Sequence, residues 1–183
     1  MKIIEAQKLL DRVQKRDSIY LFTQQNLGVL FSEDGETLRS TLKRLAANKI
    51  LTKVASNLYA GNRISESQQD VLSMVAARLR AGEANYLSME SVLCNHSIIS
   101  QQMLDRITVM TSGRSGEFKT PYGVVEFTHT KRDPIEILKS TQTSPRYAIR
   151  IASPQVAYRD LKRVGRNLEM VDLEELEELN ERS

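Results

Sequence analysis

Thr23-Gln-Gln-Asn-Leu-Gly-Val-Leu-Phe31, Ser32-Glu-Asp-Gly-Glu36 and Thr37-Leu-Arg-Ser-Thr-Leu-Lys-Arg-Leu-Ala46, followed by Leu51-Thr-Lys-Val54 and Asn57-Leu-Tyr59, set the fold of the first third of the chain. They predict helix, turn, helix and hairpin, in that order. Leu38, Leu42 and Leu45 recur at i, i+4 and i+7 as one apolar stripe, so Arg39, Ser40, Lys43 and Arg44 fall on exposed flanks. Thr23 is a good N-cap for the preceding helix, because its hydroxyl can accept from an amide of the first turn. Gly28 weakens that helix by roughly 1 kcal/mol relative to Ala, a cost that a close helix–helix contact would explain. This succession is the plan of a winged helix-turn-helix, with its second helix suited to a DNA groove.

Upstream, Ile3, Ala6, Leu10 and Val13 predict a first helix over about Lys2–Lys15, and Ile19-Tyr-Leu-Phe22 is too short an apolar run for another. Downstream, Asn48 suits a left-handed helix cap. Ser56-Asn57 suits a hairpin turn because Asn tolerates positive φ. Lys53, Ser56 and Asn57 would lie on the wing, beside backbone phosphate. Residues 61–66 are polar and read as a linker, giving two domains, 1–62 and 63–183.

The second domain mixes periods of 3.6 and 2, which predicts an α/β domain and an α+β chain overall. A helix is expected over Ser67–Arg80, stopped by Gly82, and a short one after Ser88 as cap. Ile107–Thr111 and Val124–His129 alternate as strands, joined through Thr120-Pro-Tyr-Gly123 as a meander or hairpin. Asp133-Pro134 opens a short helix, Tyr147–Ala152 is a strand, and Ser153-Pro154 starts a helix ended by Gly165, with proline where its missing amide costs nothing. Leu168 and Met170 suggest a short strand, and Asp172 with Glu175 a capping box for a last helix.

Charge is distributed unevenly. Residues 1–62 hold ten Lys/Arg against six Asp/Glu, residues 63–166 fifteen against ten, and residues 167–183 one against seven. A basic body with an acidic tail suits a polyanion partner, since each cation that neutralises a phosphate releases a counterion. One cysteine, Cys94, excludes an intramolecular disulfide framework and a cysteine-based zinc site. The N-terminus lacks the apolar run of a signal peptide, and no segment approaches the ~20 apolar residues that cross a bilayer. A cytoplasmic protein with no membrane partner is expected.

Beyond periodicity, the order of several short motifs resembles the AbiEi-type antitoxins. These are Asn57-Leu-Tyr-Ala60 closing the wing, Tyr86-Leu-Ser-Met-Glu-Ser-Val-Leu93 with His96, Ile107-Thr-Val-Met-Thr-Ser-Gly-Arg114, Thr120-Pro-Tyr-Gly123, and Ala152-Ser-Pro-Gln-Val-Ala-Tyr-Arg-Asp160. The resemblance covers nearly the whole chain. It implies the antitoxin of a two-gene abortive-infection system of phage defence, whose N-terminal winged helix represses its own promoter at inverted repeats. The C-terminal domain would counter a cognate nucleotidyltransferase-type toxin, with or without direct contact. Two departures stand out: Asn57 where the family often has Gly, and Gln155 where it commonly has Glu.

For chemistry the residues offer little. Cys94 and His96 stand two apart, which on a helix points them to different sides, and a thiol nucleophile needs its base within hydrogen-bond reach. Thr111-Ser-Gly-Arg-Ser-Gly116 follows a strand but lacks the Gly-Lys-Ser/Thr ending of a phosphate-binding loop. No catalytic residue, metal set or cofactor motif is assigned. A nuclease would need Glu117, Glu126 and Asp133 to converge on a metal.

The expected site is therefore duplex DNA. Arg39 and Arg44 would take bases or phosphate, Thr37, Ser40, Thr41 and Lys43 adjacent contacts, Lys53 and Asn57 the wing contacts, and Gln24 and Gln25 phosphate at the start of their helix. Arg106 and Arg114 are further candidates for nucleic acid or a partner. The alternative is a stand-alone regulator whose C-terminal domain senses a ligand or dimerises.

Overall fold

The computed structural model describes residues 1–62, 66–100 and 105–181, with the side chains of residues 180 and 181 excepted. Chain contacts divide it into two compact units, Met1–Glu66 and Ser67–Ser183. Part of the expected linker, residues 63–65, lies outside the described residues. The whole is a mixed α+β chain.

The first unit runs α1 (Ile3–Asp17), β1 (Leu21–Thr23), α2 (Gln24–Phe31), α3 (Gly35–Ala47), β2 (Leu51–Ala55) and β3 (Leu58–Gly61). The apolar run at Ile19–Phe22 resolves into β1, which pairs antiparallel with β3 in a sheet ordered β1-β3-β2. Leu38, Leu42 and Leu45 are buried with Leu10, Phe22, Leu27, Phe31 and Leu51 in one core. A Cβ at Gly28 would stand 3.0 Å from the Glu33 carbonyl oxygen and 3.3 Å from the Leu38 side chain, a tight approach that a larger residue could enter only if these neighbours gave by a few tenths of an ångström. Two turn expectations change. Lys49, not Asn48, takes the positive φ after α3 (φ 56°, against −90° for Asn48), and Asn57 is not among the positive-φ residues. The hairpin instead absorbs its geometry in a register shift between Lys53 and Ala55.

In the second unit, α4 (Gln68–Leu79), β4 (Asn85–Leu87), α5 (Glu90–Asn95), β5 (Arg106–Thr111), β6 (Gly116–Thr120), β7 (Gly123–His129), α6 (Pro134–Ser140), β8 (Thr141–Gln142), β9 (Arg150–Ala152), α7 (Pro154–Val164) and α8 (Leu173–Glu181) follow in order. The sheet order is β6-β7-β5-β4-β9-β8. Instead of a meander, β5 and β7 run parallel, and β6 is an antiparallel edge strand. Alternate residues of a strand face opposite sides, so Thr108 and Glu126 share one face while Val109 and Phe127 share the other. Arg80, just past α4, stacks over Phe127, whereas Ser91 of α5 bonds Thr108. The sheet therefore carries α4 on one side and α5, packed beside α7, on the other.

Three local expectations are corrected. Ser88 does not cap α5, since its hydroxyl donates to Asp160 at 2.8 Å and Met89 occupies the cap position. Leu168–Met170 forms a 3-10 turn rather than a strand. The strand expected over residues 147–152 is confined to Arg150–Ala152. Ser153, Asp133 and Asp172 do accept amides of the turns they precede. No helix among the described residues is long and apolar enough to cross a membrane.

Candidate nucleic-acid interface

The outer face of α3 follows from its inner one. With Leu38, Leu42 and Leu45 buried, a turn of 100° per residue leaves Glu36, Ser40, Lys43 and Ala47 opposite the core and puts Arg39 on one flank, Thr37 and Arg44 on the other. Thr37, Arg39, Ser40, Lys43 and Arg44 are all exposed. Arg39 holds Glu36 at 3.4 Å with both side chains at least 70% exposed. Such a surface pair is worth at most about 1 kcal/mol and yields readily to a phosphate.

Thr41 is corrected. It is buried, 2% exposed, because it lies next to the apolar stripe, and its Oγ1 accepts from Arg44 Nη2 at 3.1 Å. The same Arg44 nitrogen donates to the Met1 carbonyl at 3.0 Å. Arg44 is therefore anchored toward the N-terminus of the chain, while Arg39 has only its exposed pair with Glu36. Nearby, the Met1 amino group pairs with Glu33 and keeps that carboxyl below the usual carboxylate range.

The start of α2 is partly spent. Thr23 caps it as expected, its Oγ1 accepting from the Asn26 amide at 3.1 Å while the Asn26 side chain returns to the Thr23 amide at 3.0 Å. The Gln24 amide donates to the Asn57 carbonyl at 3.1 Å and Oδ1 at 3.3 Å. Asn57 thus fastens the hairpin turn to α2, and the Gln24 amide has no spare hydrogen for phosphate. Gln24 is half-buried and Gln25 exposed; Lys53 is exposed on β2. Lys49, exposed in the turn between α3 and β2, is a cation on this surface that the sequence pattern did not single out. Only its place beside a helix end could have signalled it.

The two arginines of the second unit differ. Arg106 Nη1 holds Glu126 at 2.9 Å and Glu117 at 3.4 Å, so its guanidinium is paired with carboxylates of the neighbouring strands. Arg114 is exposed and its carbonyl accepts from Arg80. Glu117 and Glu126 stand opposite each other across β6 and β7, but guanidinium groups fill the space: Arg106 bridges them, and Arg166 binds Glu126 and Glu90. Asp133 is used as a helix cap. The loop at residues 112–115 is also internally satisfied, with Ser112 on Glu83, Ser115 on the His129 amide and Gly113 on the His129 ring. It joins β5 to β6.

No protein-family model matches the chain, and no curated protein matches it. Among solved structures it is similar to the RV2827C protein from Mycobacterium tuberculosis, at 14% identity and a TM-score of 0.59. The match covers 86% of this chain and 60% of that one. At such identity the likeness is one of fold.

Proposed function

We propose that residues 1–62 are a winged helix-turn-helix that binds duplex DNA, with α3 in the major groove and the β2–β3 hairpin as the wing. The observation that carries this reading is the outer face of α3. Three basic side chains, Arg39, Lys43 and Arg44, are exposed with Thr37, Ser40 and the single acidic Glu36 along a helix whose opposite stripe is buried, on a unit ordered α1-β1-α2-α3-β2-β3 with a β1-β3-β2 sheet. Arg39 and Lys43 are the cations best placed to reach base edges or phosphate, with Ser40 between them and Lys49 and Lys53 at the periphery.

The resemblance to AbiEi-type antitoxins extends the proposal. The chain represses its own promoter at inverted repeats, and residues 67–183 counter a nucleotidyltransferase-type toxin encoded beside it. No catalytic role is assigned to the chain. A reporter driven by the DNA upstream of its gene, and a growth assay with the adjacent gene induced, test the two halves separately. Repression by the full chain and rescue of growth are expected. An unrepressed reporter would remove the first half, and growth arrest despite co-expression the second.

A further inference from the structure

The second unit contains a cleft of about 400 Å³ between the end of α4, the 80–85 segment, α6 and the start of β9. That volume lies within the range of small-molecule sites, ~300–1,000 Å³. Its walls are mostly apolar. Ala77, Ala81 and Ala148 leave the space, and Ile137 and Ile149 form the floor. Leu138 lines it while 56% exposed, and Ile135, one turn away on α6, is 62% exposed. Leu138, left in water on the wall of an apolar cleft, is surface that an apolar ligand would cover.

Of the polar groups lining the cleft, Asn85 is spent on the carbonyls of Arg80 and Glu83 and on Thr111, and Glu83 accepts from Ser112. The Arg80 guanidinium lies 5.3 Å from the ring centres of both Phe118 and Phe127 and donates to the Arg114 carbonyl, so it is turned toward β6 and β7. Arg150 is different. Its Nε donates to Thr141 Oγ1 at 2.7 Å, and its Nη2 donates to the Leu138 carbonyl at 3.1 Å and to the Thr141 carbonyl. All three acceptors are neutral. Among the described residues no carboxylate pairs with this half-buried guanidinium, and its Nη1 has no protein partner. Three bonds hold it in one orientation, against carbonyls at the C-terminal end of α6 rather than against a carboxylate.

We propose that this cleft binds a small organic monocarboxylate with an apolar body, the carboxylate on Arg150 and the body against Ile137, Leu138 and Ile149. Charge complementarity selects this class over a neutral apolar ligand, because a fixed, partly desolvated guanidinium gains a charge-assisted bond from a carboxylate and nothing comparable from an alcohol. The site lies wholly within the second unit and stands apart from the DNA-reading proposal.

Isothermal titration of the full chain with decanoate and with decan-1-ol provides the test. Saturable one-to-one binding of decanoate is expected, at least about tenfold tighter than decanol. Arg150→Gln should bring decanoate down to the affinity of decanol. Ala81→Trp, a substitution at an exposed position that fills the cleft, should weaken both ligands about tenfold or more. Absence of saturable decanoate binding, equal affinity for decanoate and decanol, or unchanged binding in Ala81→Trp would each overturn the proposal. If Arg150→Gln does not fold, the comparison of the two ligands and the Ala81→Trp variant decide.

Discussion

Met89 holds φ 54° and ψ −134° between β4 and α5 with its side chain fully buried. That backbone is strained for any residue with a Cβ, by about 1–3 kcal/mol, and the strain persists because the turn drives the thioether into the core. Met89→Ala should lose the burial, about 2–5 kcal/mol. Met89→Gly empties the same space but relaxes the backbone, so it should be no less stable than Met89→Ala in urea unfolding, the reverse of the usual order. Nothing in Tyr86-Leu-Ser-Met-Glu announces this, since methionine reads simply as apolar. A buried cluster beside it was equally illegible. Asp160 is fully buried, accepts from Tyr86 and Ser88, and pairs with Arg132 at 2.6 Å. Burial first, and then the Asp160 charge, push the Tyr86 phenol up to about 12. A phenol raised from its ordinary value near 10 stabilises the fold fully below pH 10, and that contribution is lost as pH rises toward 12. Urea unfolding of Tyr86→Phe should therefore fall less between pH 10 and 12 than that of the parent chain.

Helix caps and apolar stripes carry a local physical signal, and these elements were legible except at Ser88 and Asn48. Thr23, Ser153-Pro154 and Asp172 act where their side chains predicted, and Leu38, Leu42 and Leu45 face inward. Thr23→Ala should cost about 0.5–2 kcal/mol of stability in urea unfolding, since the Asn26 amide loses its acceptor. Pairing direction was not legible. β5 and β7 alternate like hairpin strands, but they run parallel because β6 intervenes, and Gly116-Glu-Phe-Lys-Thr120 is a short edge strand with little apolar pattern. β1 was hidden for a similar reason, as three residues gain a strand identity only from their partner β3. On the interface, the exposed flank of α3 could be read from the stripe opposite it. The burial of Thr41, beside that stripe, could have been read the same way, whereas the contacts of Arg44, Arg106 and Asn57 could not, because each depends on residues far away in sequence.

At the scale of the molecule, two compact units with separate cores imply separable stability. Asp160→Asn breaks the charge pair with Arg132 in the second unit only. Breaking a buried pair costs about 3–5 kcal/mol, so in calorimetry it should lower one unfolding transition and leave the other in place. Of the ten basic residues in 1–62, five lie on or beside α1 and five between Arg39 and Lys53, and the proposed DNA reading rests on Arg39 and Lys43 of α3. Fluorescence anisotropy of the full chain on duplex DNA from upstream of its gene tests this most directly. Arg39→Ala with Lys43→Ala should weaken binding by about 1–3 kcal/mol for each base edge no longer read. The salt slope should fall by about 0.9 for each phosphate no longer neutralised, with the melting temperature unchanged. Equal affinity and equal salt slope in the two proteins would contradict a DNA-reading α3.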